Sequence, residues 1–252
     1  MKIRTLSYTV AVLFLIAASL ACSVDLGNTQ PTSIPPTIAP PPTLAPTEVP
    51  PPVVDVSSPT PEAPAVDTSA FDKLILEFAD KGYVNSIEGD TIPIDPFDEE
   101  WAQINYYQWW EIDQETNDMV FASHFKWSTS SSTPDLSGCG VVFGLQDNDD
   151  HYAVFLDKGR IAFLMNRGSN VYEVGKTRGP GRVNFGNPAE ADFALAVKGT
   201  RAYVSIDGEV TEYTLSADQS SAGRVALTIL SGTNSGYGTR CEMTDTFLFI
   251  PK

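Results

Sequence analysis

The run Gly138-Cys139-Gly140-Val141-Val142-Phe143-Gly144-Leu145, Gln146-Asp147-Asn148-Asp149-Asp150, His151-Tyr152-Ala153-Val154-Phe155-Leu156 decides how this chain is read. Cys139, Val141, Phe143 and Leu145 recur at every second position, the period of a half-buried strand. The Asp/Asn cluster cannot prolong a strand and favours a tight turn. Tyr152, Val154 and Leu156 return with the same period. The run therefore predicts a strand-turn-strand hairpin.

Toward the C-terminus the pattern repeats. Ile161, Phe163 and Met165 form one strand, and Val171 to Val174 another after the turn Gly168-Ser169-Asn170. Phe193, Leu195 and Val197 are answered across Lys198-Gly199-Thr200 by Ala202, Val204 and Ile206. Asp207-Gly208 is a strong hairpin turn leading into Val210 to Leu215. Val225, Leu227 and Ile229 precede a last strand, Thr239 to Ile250, in which Cys241, Met243 and Phe247 are expected inward and Asp245 fits less well. Toward the N-terminus, Met119, Phe121, Ser123, Phe125 and Trp127 give an inward face, with His124 and Lys126 outward. Tyr83 to Asp98, broken by Gly89, Pro93 and Pro96, reads as short strands and turns. Phe71, Leu74, Ile75 and Phe78 fall at helical spacing, so a short helix opens at Ser69, with Asp72 completing a weak capping box and Gly82 as its stop. About a dozen evenly spaced strands and one helix predict an all-β, two-sheet antiparallel sandwich over 69–252.

The most aromatic segment is Trp101 to Ile112. Read as one strand, it turns Ala102, Ile104, Tyr106, Gln108, Trp110 and Ile112 to one core-like face. Trp101, Asn105, Tyr107 and Trp109 then share the other, where flat rings beside amide groups suit the stacking and hydrogen bonding of a sugar ring. The alternative is that Tyr107 and Trp109 pack beneath a loop or against the N-terminal helix. Glu111-Ile112-Asp113-Gln114-Glu115 places three carboxylates at the spacing of two that a retaining glycosidase uses. Gln114 occupies an apolar position, however, and Thr116-Asn117-Asp118 reads as a turn, so an acidic strand end and loop is the better reading and no catalytic residue is assigned. Glu88, Asp90, Asp95, Asp98, Glu99 and Glu100 add to this acidic stretch, which lacks an Asp-x-Asp-x-Asp-Gly calcium loop and reads as a solvated face. His124 and His151 are the two histidines, neither with a partner at zinc-ligand spacing. No phosphate-binding loop or nucleophile elbow is present. The sequence implies no metal and no cofactor.

The chain has 252 residues and a net charge of -16, which argues against nucleic acid because the phosphate backbone would be repelled. Lys2 and Arg4, the apolar run Val10 to Ala18 and then Ser19-Leu20-Ala21-Cys22 compose an export signal over 1–21, too short for a membrane span. Ser19-Leu20-Ala21-Cys22 resembles a bacterial lipobox, which implies that Cys22 carries lipid and anchors the chain to a membrane; the alternative is ordinary secretion. Residues 22–68 alternate Pro with Thr, Ala and Val and, from Ser23, contain no Lys, Arg or aromatic residue. Such composition favours an extended polyproline spacer of about 3.1 Å per residue. Of three cysteines, Cys22 would go to lipid, leaving Cys139 and Cys241 as a pair in an oxidising compartment, the alternative being two buried thiols.

The domain resembles the concanavalin A-like, laminin G-like jelly-roll superfamily. Gly138 to Phe143, the Asp147-Asn148-Asp149-Asp150-His151-Tyr152 turn, Val204-Ser205-Ile206-Asp207-Gly208-Glu209-Val210 and Gly223-Arg224-Val225-Ala226-Leu227 carry that likeness. It implies a curved sheet with a concave face, and a superfamily that holds lectins, glycosidases and adhesion modules alike. A membrane-anchored, non-catalytic, carbohydrate-binding or adhesive domain is the expectation. A structural or protein-interaction domain and a laminarinase-type glycoside hydrolase are the alternatives.

Overall fold

In the computed structural model, residues 67–131, 137–157, 160–175 and 186–252 are described; the expected export signal, Cys22 and the expected spacer as far as residue 66 lie outside them. Among the described residues one helix, α1 (Ser69–Asp80), precedes thirteen strands: β1 (Gly89–Ile94), β2 (Phe97–Trp101), β3 (Tyr106–Thr116), β4 (Met119–Thr129), β5 (Gly138–Leu145), β6 (His151–Leu156), β7 (Ile161–Arg167), β8 (Asn170–Glu173), β9 (Ala189–Lys198), β10 (Arg201–Ile206), β11 (Glu209–Thr214), β12 (Gly223–Ser231) and β13 (Thr239–Pro251). They form two antiparallel sheets. A seven-stranded sheet runs β1-β13-β4-β9-β10-β11, with β2 also paired to β13, and a six-stranded sheet runs β3-β12-β5-β6-β7-β8. The all-β sandwich is thus the fold. Among the described residues no helix is long and apolar enough to cross a membrane.

The central hairpin forms as expected, Val141 opposite Val154 and Phe143 opposite Tyr152. Its strands are not half-buried, though: every residue of β5 and β6 is enclosed. The inner rows, Val141 and Phe143 with Tyr152, Val154 and Leu156, meet Phe121, Phe125, Phe193 and Leu248 between the sheets. The outer rows, Val142, Ala153 and Phe155, belong to a second apolar cluster on the outside of the six-stranded sheet.

Two residues expected inward lie on the other side. A strand changes face at every residue, so one extra residue reverses everything after it. Gly144, at φ 63°, is such a residue: the β5–β12 register slips there, and Leu145 joins the outer cluster. Asp245, at φ 49°, does the same in β13, where the register with β4 slips between Thr244 and Phe247. Cys241 and Met243 face the core, and Phe247 faces outward under α1.

α1 covers the outside of the seven-stranded sheet, where Phe71, Ile75 and Phe78 pack on Val120, Ala194, Phe247 and Phe249. It opens at Ser69 as expected, but the cap is the residue before, not Ser69 itself. Thr68 is the N-cap and makes no capping bond to the backbone; its hydroxyl donates to Asp72 instead, so the capping box does not form. The stop is as read. Gly82, at φ 76°, donates to Ala79 O and Tyr83 N donates to Phe78 O, the paired bonds of a Schellman motif, and the Phe78 and Tyr83 rings meet at 5.6 Å. Cys139 of β5 and Cys241 of β13 form a disulfide bond that ties one sheet to the other.

Candidate functional site

The predicted single strand Trp101 to Ile112 does not exist. Residues 102–105 turn, with Asn105 at φ 61° donating its N–H to Ser231 O, and the chain passes from one sheet to the other. Trp101 ends β2, opposite Thr239 in the seven-stranded sheet, and packs against the core between the sheets. Trp101 is in the other sheet and Asn105 in the turn before β3, so neither is on the strand that carries Tyr107 and Trp109. Ile104 and Tyr106, expected in the core, are 46% and 60% exposed. Asn, tolerant of the left-handed region, is the one local sign of this turn.

Tyr107 and Trp109 do come together. They lie on β3, an edge strand, opposite Leu230 and Thr228 of β12, while Trp110 and Ile112 point to the core. Their rings are 5.9 Å apart and sit on the outer cluster. Beneath them β6 contributes Phe155, 5.2 Å from Tyr107, and His151, 5.6 Å from Tyr107 and 5.2 Å from Trp109. α1 covers the other sheet, so the helix is not what they pack against.

His151 is the residue that the sequence reading missed. It is fully enclosed, its Nδ1 2.7 Å from Asp149 O and its Nε2 2.6 Å from Tyr107 Oη. Burial disfavours the imidazolium and lowers its pKa, outweighing the Asp149 carbonyl, which raises it. Burial also pushes Tyr107 up to about 12, so the phenol keeps its proton. Parity held the clue: His151 alternates with Ala153 and Phe155, on the face opposite Tyr152, Val154 and Leu156.

Beyond Trp109 the same strand carries the carboxylates. β3 runs through Thr116, so Glu115 is on the strand and the turn follows it, a correction to the expected early end. Glu111, Asp113 and Glu115 are all exposed. The register with β12 slips between Glu111-Ile112 and Glu115, leaving Asp113 and Gln114 in the irregularity. Arg224 of β12 binds Glu111 at 2.6 Å and reaches Gln146 O at 3.2 Å and Asp147 at 3.6 Å. Together Arg224 and residues 111–115 line a shallow groove of about 420 Å³. A larger one, about 560 Å³, lies under α1 on the opposite sheet, edged by His124 and Asp192, which are 2.8 Å apart. The track from Tyr107 to Glu115 thus offers two ring surfaces and then a row of hydrogen-bonding side chains along one strand.

No protein-family model matches the chain, and comparison with curated proteins gives no match. Solved structures similar to it include the carbohydrate-binding module CBM66 from Bacillus subtilis, at 8% identity and a TM-score of 0.45 over 64% of this chain and 92% of that one. Another is a fructosyltransferase from A. japonicus, at 10% identity and 0.43 over 65% of this chain, which spans only 26% of that enzyme. A third is the family 7 alginate lyase A1-II′, at 10% identity and 0.40 over 54% and 64%. The architecture rests on the strand pairing above, and none of these likenesses carries a residue or a ligand to this chain.

Proposed function

We propose that this chain is an exported lipoprotein, held at a membrane by lipid on Cys22, which presents a non-catalytic glycan-binding or adhesive domain on its Pro/Thr-rich spacer. The observation that carries the binding reading is the pair Tyr107 and Trp109, half-buried side by side on an edge strand and followed by polar side chains on the same outer face. Rings held by packing lose little freedom on stacking against a pyranose, and the adjacent groups answer its hydroxyls. The three carboxylates speak less for catalysis. Glu111 is engaged by Arg224, and the strand irregularity interrupts the spacing that made the set resemble a glycosidase.

A glycan array probed with the purified chain tests the reading, with the bound sugars inspected afterwards for cleavage. Binding without cleavage is expected, and Trp109→Ala should remove it while leaving the fold, because Trp109 belongs to the outer cluster and not to the core between the sheets. Cleavage products, or binding unaffected by Trp109→Ala, would overturn the assignment. For the anchor, Cys22→Ser should move the chain from the membrane fraction to the soluble one; unchanged partitioning would refute lipidation.

A further inference from the structure

The bonds around His151 fix more than the position of a ring. A carbonyl oxygen only accepts, so Nδ1, 2.7 Å from Asp149 O, must carry the proton of the neutral imidazole. That carbonyl is itself held from β7, where Asn166 Nδ2 donates to it at 2.9 Å. A neutral imidazole has one N–H, which leaves Nε2 bare and able only to accept. Tyr107 Oη, 2.6 Å away, must therefore point its proton at Nε2. A tyrosine at a surface normally rotates its hydroxyl and can donate or accept; this one has its donor committed inward, and only its lone pairs remain.

We infer that His151 and the Asp149 carbonyl make Tyr107 a fixed hydrogen-bond acceptor, so that the face takes a glycan presenting an O–H or N–H donor beside the stacked ring and disfavours one presenting only acceptors there. The inference rests on the reading of Tyr107 and Trp109 as a glycan-contacting face. It makes His151 a positioning residue: enclosed, it touches no ligand, and it acts through the phenol. An ether, a carboxylate or a methylated hydroxyl brought to Tyr107 Oη would set lone pairs against lone pairs, while a free hydroxyl completes a directional chain from ligand to Tyr107 to His151 to Asp149.

Two measurements on the purified chain test this. Nitrogen-15 NMR of the His151 ring needs no ligand and no variant. A protonated Nδ1, a bare Nε2 and a slowly exchanging Tyr107 hydroxyl proton are expected; a protonated Nε2 would overturn the inference whatever the chain binds. The second follows the Tyr107 and Trp109 resonances during titration with methyl β-glucopyranoside and with its fully O-methylated counterpart, which keeps the ring and the acceptors but has no donor. Binding of the free sugar should be stronger by about tenfold, the measure of one hydrogen bond. Tyr107→Phe should bring the ratio toward one, and so should His151→Leu, which frees the phenol to turn. Equal binding of the two sugars by the wild-type chain would overturn the acceptor assignment. If neither sugar moves these resonances and the array is empty as well, the glycan reading falls while the NMR result still decides the polarity of Tyr107.

Discussion

His151 shows what enclosure does to a titrating side chain. Its pKa in the fold lies below the ordinary 6.5, chiefly because burial penalises the cation. Between the two values the unfolded chain binds more protons than the folded one, so its contribution to stability is fully present above about pH 6.5 and is lost as pH falls through the folded value. Asp98, lowered from 3.8 by its hydrogen bond to Arg240, acts in a separate window at lower pH. Thermal unfolding followed against pH should therefore show the melting temperature falling below pH 6.5, well before carboxylates titrate. His151→Gln should flatten that part of the curve. His124→Gln in both chains removes the other imidazole, and an unchanged slope would show that His151 is not its source. None of this was visible in the residue itself, because His151 and His124 look alike in the sequence and differ only in what surrounds them.

At the scale of elements, the hairpin β5–β6 depends on residues with no side chain. A Cβ on Gly140 would run into Val154 O and lie 2.7 Å from the Phe155 ring, so the outer row of β5 has room only for hydrogen at that position. Gly140→Ala should therefore destabilise the domain by about 1–3 kcal/mol through overpacking. Urea unfolding would measure it, and a midpoint equal to the wild type would show that β6 yields without cost. The alternation of apolar residues placed most strands and all the hairpins of the C-terminal half. It failed at Gly144, at Asp245 and at the β2–β3 turn, each a place where one or a few residues break the period and reverse the faces that follow. A left-handed residue marks all three, and Gly, Asp and Asn reach that region most readily, but the same residues occur in many turns and strands that change no parity.

For the whole molecule the largest single constraint is the bond between Cys139 and Cys241, 102 residues apart. In the chain-entropy account, closing a loop of that length restricts the unfolded state by about 4.7 kcal/mol. Intact mass before and after reduction should show a shift of two hydrogens for this pair, and reduction should lower the urea midpoint while the strands persist at low denaturant; two free thiols in the unreduced, denatured chain would refute the bond. Charge is distributed on the same long-range plan. The acidic N-terminal stretch meets cations from the last strands, Asp98 with Arg240, Asp90 with Lys252 and Glu111 with Arg224, each an exposed pair of small energetic weight. The sequence by itself determined the all-β class, the helix and its glycine stop and the central hairpin, because period and turn residues are local properties; it proposed the Cys139–Cys241 pair but left two free thiols open, and the structure joins them. Only the tertiary structure decided that Trp101 and Asn105 part from Tyr107 and Trp109, that Phe247 turns outward, and that a buried histidine stands behind Tyr107. Those outcomes depend on which strand lies beside which and on where the register slips, and pairing between residues a hundred positions apart leaves no period in the chain to be read.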